Sequence, residues 1–252
     1  MDKLYLIANW KMNPQTSREA RVLFDAILNI GRMKNIETVI CPPFPFLPIF
    51  GSPKSLKLGG QDLFWELQGP YTGQVSGKML RDFGCEYVII GHSERRKFAG
   101  ESDEIINGKL KAALKCVLTP ILCVGEKEGE EMGEVLTAQV TGCLKDIGKS
   151  ELQDIILVYE PVWAISSGVV GTGKPCLPND ALSASLVIKK IITGLYGRYL
   201  ADKIPIIYGG SVDSKNAASY ISEARMQGVL VGGASLVAEE FSKIAESIND
   251  LL

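Results

Sequence analysis

Five short stretches of the chain place chemically competent residues directly after an apolar run: Asn9-Trp10-Lys11, Gly91-His92-Ser93-Glu94-Arg95, Tyr159-Glu160-Pro161, Gly209-Gly210-Ser211 and Gly232-Gly233. Together they offer an amide, an ammonium, an imidazole, a carboxylate and two glycine turns. A carboxylate and an imidazole in one pocket can pass protons as general base and acid. A lysine with an amide beside it can hold an anion and stabilise charge that grows during a reaction. Paired glycines let backbone N–H groups come close to a phosphate.

Each of these groups also has an ordinary structural reading. Glu160 read alone is a charged strand end, Lys11 a solvated lysine, His92 a histidine satisfied by its neighbours, and each Gly-Gly a tight turn. The flanking residues tilt the balance toward chemistry. Pro161 and Trp163 would stiffen and shield the Glu160 carboxylate, and an apolar shield makes a carboxylate a stronger base by disfavouring its charged form. Ser93 and Glu94 would open a helix, whose N-terminal N–H groups favour a neutral imidazole at His92 over an imidazolium.

Composition narrows the alternatives. His92 is the one histidine in the sequence and no H-E-x-x-H or comparable cluster occurs, so neither a metal nor another cofactor is expected. The six cysteines, Cys41, Cys85, Cys116, Cys123, Cys143 and Cys176, form no C-x-x-C pair, and buried reduced thiols are the expectation. A net charge of −2 with no Lys/Arg-rich block predicts neither nucleic acid nor an anionic membrane as partner, so an anionic ligand would have to be held locally. No apolar run approaches the roughly 18 residues of a spanning helix, and the start MDKLYLIANWKMN is too briefly apolar for a secretory signal; a cytoplasmic protein is expected.

The elements that must position these groups follow from periodicity. Continuously apolar runs at Leu4–Ala8, Thr38–Cys41, Leu56–Gly60, Tyr87–Ile90, Thr119–Val124, Ile155–Tyr159, Ile204–Tyr208 and Val229–Val231 predict eight strands. Segments of helical period lie between them, the first carrying Ala20, Leu23, Phe24, Ile27 and Leu28 on one face, the last Phe241, Ile244, Ala245, Ile248 and Leu252. The expected class is α/β, as one (β/α)8 barrel domain over residues 1–252, with an open doubly wound sheet as the alternative that pattern alone leaves standing. In such a barrel the active site lies where strands end, which is where the five stretches fall. The turn-rich segment 166–178 reads as one long loop after the sixth strand.

N-W-K-M-N at 9–13, G-H-S-E-R-R at 91–96, Y-E-P-V-W-A-I at 159–165, Y-G-G-S-V at 208–212 and V-G-G-A-S-L at 231–236 resemble the signatures of the triosephosphate isomerase family, in that family's order along nearly the whole chain. The resemblance implies a TIM barrel, a homodimer, and interconversion of dihydroxyacetone phosphate and D-glyceraldehyde 3-phosphate in glycolysis and gluconeogenesis, the family being a standard example of tuned acid and base groups. It implies that Glu160 moves the proton between C1 and C2. It further implies that His92 polarises the carbonyl and serves the enediolate oxygens, and that Lys11 and Asn9 hold the phosphate and stabilise the enediolate. Glu94 supports Lys11, while backbone N–H groups of Ser211, Gly232 and Gly233 receive the phosphate near a short helix at Ala234–Val237. Tyr208 and Leu230 resemble the groups that meet a closed lid.

Two departures stand out. The family's lid reads W-A-I-G-T-G-K, whereas Ser166-Ser167-Gly168-Val169-Val170 intervenes here before Gly171-Thr172-Gly173-Lys174. Counting from Trp163 makes Ser166 the lid's phosphate ligand, while matching the glycines makes it Gly171, the preferred reading because a residue free to take φ > 0 suits close backbone approach. The 69–76 loop, Gly-Pro-Tyr-Thr-Gly-Gln-Val-Ser, resembles the family's dimer loop, but Gln74 stands where glutamate is usual. This replaces a charge-assisted contact to Arg95 by a neutral one, and restoring the carboxylate with Gln74→Glu is expected to tighten the dimer.

Other readings need other residues. An epimerase or aldolase on the same scaffold would call for metal-binding histidines or a Schiff-base lysine deep in a strand. A non-catalytic or lid-impaired sugar-phosphate-binding barrel would keep the phosphate turns without turnover.

Overall fold

In a computed structural model describing residues 3–51, 53–165 and 174–252, eight parallel strands close into a barrel in chain order. They are β1 (Leu4–Asn9), β2 (Ile36–Cys41), β3 (Lys57–Gly60), β4 (Cys85–Ile90), β5 (Thr119–Val124), β6 (Ile156–Tyr159), β7 (Ile206–Tyr208) and β8 (Gly228–Val231). β8 closes on β1 with Tyr5 opposite Gly228 and Ala8 opposite Val231. The closed (β/α)8 alternative therefore holds and the open sheet does not.

Strand edges differ from the sequence expectation for local reasons. β7 starts at Ile206 rather than Ile204 because Pro205 has no N–H to give to a ladder; only its carbonyl is used, accepting from the Leu157 N–H at 2.9 Å. β6 starts one residue late because the Ile155 N–H is taken by the Leu152 carbonyl in the preceding turn.

The runs look uniformly apolar because both faces are buried, yet the pleat still sorts them. Ile7, Val39, Cys41, Ile89, Ile121, Cys123, Ile156, Val158, Ile207 and Leu230 pack with one another inside the barrel, with Tyr5 against them. Their neighbours Leu6, Ala8, Ile40, Val88, Ile90, Leu122, Leu157 and Val231 join the larger core beneath the helices. Alternation carries functional weight here. Two residues beyond Ile7, Val158, Ile207 and Leu230, the inward register reaches Asn9, Glu160, Gly209 and Gly232 at the C-terminal mouth.

The covering helices bury the predicted faces. Helix Ser17–Ile27 buries Ala20, Phe24 and Ile27, and starts at a capping box in which the Thr16 hydroxyl accepts from the Glu19 N–H at 3.2 Å. Helix Ala238–Asn249 buries Phe241, Ile244, Ala245 and Ile248; Leu252 lies past its end but still packs against the core. All six cysteines are free, Cys116 half-buried and the rest buried. Among the described residues no helix is long and apolar enough to cross a membrane.

Candidate active site

The mouth of the barrel encloses a cavity of about 310 Å³ bordered by Asn9, Lys11, His92, Glu160, Ser211, Gly232 and Gly233. All the predicted site residues that the structure describes thus meet at one place. Gly171 and the 166–170 segment lie outside the described residues.

Lys11 sits at the cavity edge in an unusual backbone conformation, φ 54°, which a non-glycine residue adopts only when its surroundings hold it there. The holding groups are visible. The Asn9 side-chain oxygen accepts the Lys11 N–H at 3.0 Å, and the Gln61 amide donates to the Lys11 carbonyl at 2.7 Å and to the Cys41 carbonyl at 2.9 Å. The Lys11 ammonium donates to Glu94 Oε1 at 2.7 Å, and its stem crosses Gly232 so closely that a Cβ there would lie 3.4 Å from Lys11 Cε. A cation, a carboxylate that orients it and a glycine turn are therefore adjacent.

Glu160 is almost wholly buried. Its Oε2 accepts the Ser93 N–H at 2.9 Å; its Oε1 accepts the Ser93 hydroxyl at 2.9 Å and lies 2.9 Å from His92 Nε2. His92 caps the helix Ser93–Phe98 with Nδ1 accepting the Glu94 N–H at 3.3 Å. An imidazole that accepts at Nδ1 carries its proton on Nε2, so His92 is a neutral ring donating to Glu160.

The expected strengthening of Glu160 by an apolar shield is not what the resting geometry gives. Burial pushes the carboxyl up; the charge of a protonated His92, the hydrogen bond from that ring and the two Ser93 donors bring it below its ordinary value, and with the ring neutral the hydrogen bonds alone work against burial. The shield is also made differently. The Trp163 indole donates to Glu126 Oε1 at 2.7 Å, and the apolar residues bordering the cavity include Trp10, Ile165, Val212, Leu230 and Leu236.

Close packing demands glycine at the first of the two turns, not at the second. A Cβ at Gly209 would lie 2.4 Å from Val158, and one at Gly210 would lie 2.2 Å from the Tyr208 hydroxyl, whereas a Cβ at Gly233 would meet nothing. Gly233 opens onto space a ligand can fill, at the start of a short 3-10 helix Gly233–Leu236, one residue earlier than expected. The Ser211 N–H is not free: it donates to the Ala164 carbonyl at 3.2 Å. Tyr208 is buried and stacks on Tyr220 at 3.7 Å.

Sequence reasoning passed over several groups that the geometry brings forward. Ser93, expected only to start a helix, supplies two of the three hydrogen bonds to Glu160. Glu126, two residues past β5, accepts from both the Tyr159 hydroxyl at 3.0 Å and Trp163, fastening the turn Val162–Ala164 that follows Glu160. The rule that polar residues after apolar runs merit inspection would have found it. Arg96 donates to the Gly91 carbonyl at 2.9 Å and to Asp103 at 2.7 Å, bracing the turn ahead of His92.

Fold and site together define a (β/α)8-barrel protein with a carboxylate–imidazole pair and a cation gathered over glycine turns of the phosphate-binding kind. The family model described as triosephosphate isomerase matches residues 4–248. The chain belongs to the triosephosphate isomerase family. It is 44% identical over 251 residues to a triosephosphate isomerase of Moorella thermoacetica, covering 97% of this chain and 98% of the relative. It is 42% identical over 255 residues to one of Dictyoglomus thermophilum, covering 98% and 100% of the two chains.

Proposed function

We propose that the chain interconverts dihydroxyacetone phosphate and D-glyceraldehyde 3-phosphate by enediolate proton transfer, with Glu160 as base and His92 as electrophile. The observation that carries this is the contact of a buried carboxylate with the Nε2–H of a neutral imidazole, beside Lys11 and the glycine turns. Lys11, Asn9 and the N–H groups of Ser211, Gly232 and Gly233 take the phosphate and the growing enediolate charge. The His92 Nε2–H turns from Glu160 to the carbonyl oxygen, polarising it. Glu160, relieved of that donor, removes a proton from C1 and returns it at C2, while His92 moves protons between the two oxygens. The carboxylate thus rests with its basicity suppressed and recovers it when substrate takes the place of the imidazole.

A coupled assay with glyceraldehyde 3-phosphate tests the reading, with turnover as the expected result. Binding of 2-phosphoglycolate, seen as a ligand-dependent rise in Tm, without turnover would replace it by the non-catalytic barrel. The same reading makes the protein a cytoplasmic homodimer needing no cofactor. Its 69–76 loop docks into the second copy beside Lys11. Residues 68–74 are exposed throughout, yet the loop is pinned by the Gln74 N–H on the Tyr71 carbonyl at 3.0 Å and by the Phe64–Tyr71 ring contact, a preformed shape suited to docking.

Ser93→Ala gives a further check. The Ser93 donors favour the ionised form of Glu160, so losing the Ser93 hydroxyl raises the pKa of the base and moves the acid limb of kcat/KM to higher pH. The limb is read as the ratio of variant to wild type, which cancels titration of the substrate phosphate. A limb that stays in place would show that the Ser93 hydroxyl does not set the basicity of Glu160.

A further inference from the structure

Glu160 sits on a seat of backbone. Its N–H donates to the Val124 carbonyl at 2.8 Å and the Val162 N–H donates to the Glu126 carbonyl at 2.9 Å, so residues 160–162 run along residues 124–126 and extend the pairing of β5 with β6. Between those two bonds Gly125 has no room for a side chain, since a Cβ there would lie 1.9 Å from the Glu160 carbonyl oxygen. Whatever moves the Gly125 peptide therefore moves the backbone that carries Glu160. On its other side the same segment borders open space, a hollow of about 700 Å³ that Ser93, Gly125, Gln139 and Val162 share.

One side chain holds the segment on that side. Gln139 lies on helix Met132–Cys143 between the buried Leu136 and Val140, and its amide meets Gly125 twice. The Gly125 N–H donates to Gln139 Oε1 at 2.8 Å, and Gln139 Nε2 donates to the Gly125 carbonyl at 3.1 Å. The amide thus exchanges both bonds with Gly125, as a residue of an antiparallel neighbour would. Gly125 is buried, where an unpaired N–H or carbonyl costs about as much as a lost hydrogen bond. Without Gln139 both groups would turn to the hollow for water and draw the segment with them. We infer that Gln139 is a positioning residue for the reaction: by clamping both polar groups of Gly125 it fixes the backbone under Glu160, and so the point from which the carboxylate reaches the substrate carbon. This rests on the function proposed above. Gln139 acts only through Gly125, since it is not among the residues that border the catalytic cavity.

Two variants test it. Gln139→Met keeps the length of the side chain and removes both hydrogen bonds. Its kcat is expected to fall about 10- to 10²-fold, the scale on which a misplacement of about 1 Å acts. Inhibition by inorganic phosphate is expected to stay within about twofold, because Lys11, Gly232 and Gly233 follow other strands, β1 and β8. Gln139→Glu keeps an acceptor for the Gly125 N–H but sets an oxygen against the Gly125 carbonyl. Protonation restores the donor, so kcat relative to wild type is expected to rise as pH falls from about 8 to about 5. The charged groups around the hollow, Arg96, Lys97, Glu101, Lys127 and Glu130, are common to both chains and drop out of that ratio. A Gln139→Met enzyme within about twofold of wild-type kcat, or one whose phosphate inhibition weakens as much as its kcat falls, overturns the inference. A ratio for Gln139→Glu that stays flat with pH overturns it too, and decides alone if Gln139→Met fails to fold. A wild-type chain without turnover overturns the proposed function instead, a different failure.

Discussion

Glu160→Gln is expected to lower kcat by about 10²- to 10⁴-fold, the usual contribution of a positioned general base, while leaving ligand binding largely intact. The amide keeps the shape of the side chain: its oxygen in the place of Oε2 still accepts the Ser93 N–H, its NH2 in the place of Oε1 donates to the Ser93 hydroxyl oxygen, and only the His92 Nε2–H loses its acceptor. What it cannot do is take a proton from carbon. The phosphate-holding groups lie on other strands, so a ligand-dependent rise in Tm with 2-phosphoglycolate should persist in the variant. Retention of more than about a tenth of the wild-type rate, where acid–base terms are typically at least 10²-fold, would mean that another residue is the base.

His92→Asn is the complementary experiment. The carbonyl oxygen of the introduced amide could replace Nδ1 as acceptor of the Glu94 N–H, which preserves the cap of the following helix, but it leaves no donor where Nε2–H now points. Loss of one donor to a developing oxyanion costs about 10²- to 10³-fold in kcat. The expected signature is a fall in kcat with little change in KM, because the substrate carbonyl is held far less strongly than the enediolate. A rise in KM at constant kcat would assign His92 to ground-state binding instead.

Much of the fold was legible because a buried parallel strand leaves a plain mark, a short apolar run followed at once by polar or glycine residues. The strands were placed to within two residues, and the late starts of β7 and β6 trace to backbone hydrogen bonding at Pro205 and Ile155 that side-chain hydropathy does not encode. Site residues were legible for the same reason, since strand ends and the mouth of the barrel coincide. The energetics at the site were less so. The apolar neighbours of Glu160 suggested a raised pKa, but its three donors come from residues 92 and 93, far from it in sequence, and they work against burial. A buried ion pair was hidden in the same way: Lys109 meets Asp62 across 47 positions, and no local pattern relates the two.

The hydrogen bond from the Ser211 N–H to the Ala164 carbonyl makes two events mutually exclusive. One donor cannot serve both a ligand phosphate and the turn that leads to Ile165. A phosphate that claims it must first detach that turn, and the turn, once reattached, helps to expel the phosphate. Reciprocity then requires that whatever loosens the Ala164 contact raises phosphate affinity by the same factor by which phosphate loosens the contact. Inorganic phosphate, which has no carbon to deprotonate, should therefore act on the Val162–Ala164 turn as substrate does, separating this rearrangement from chemistry.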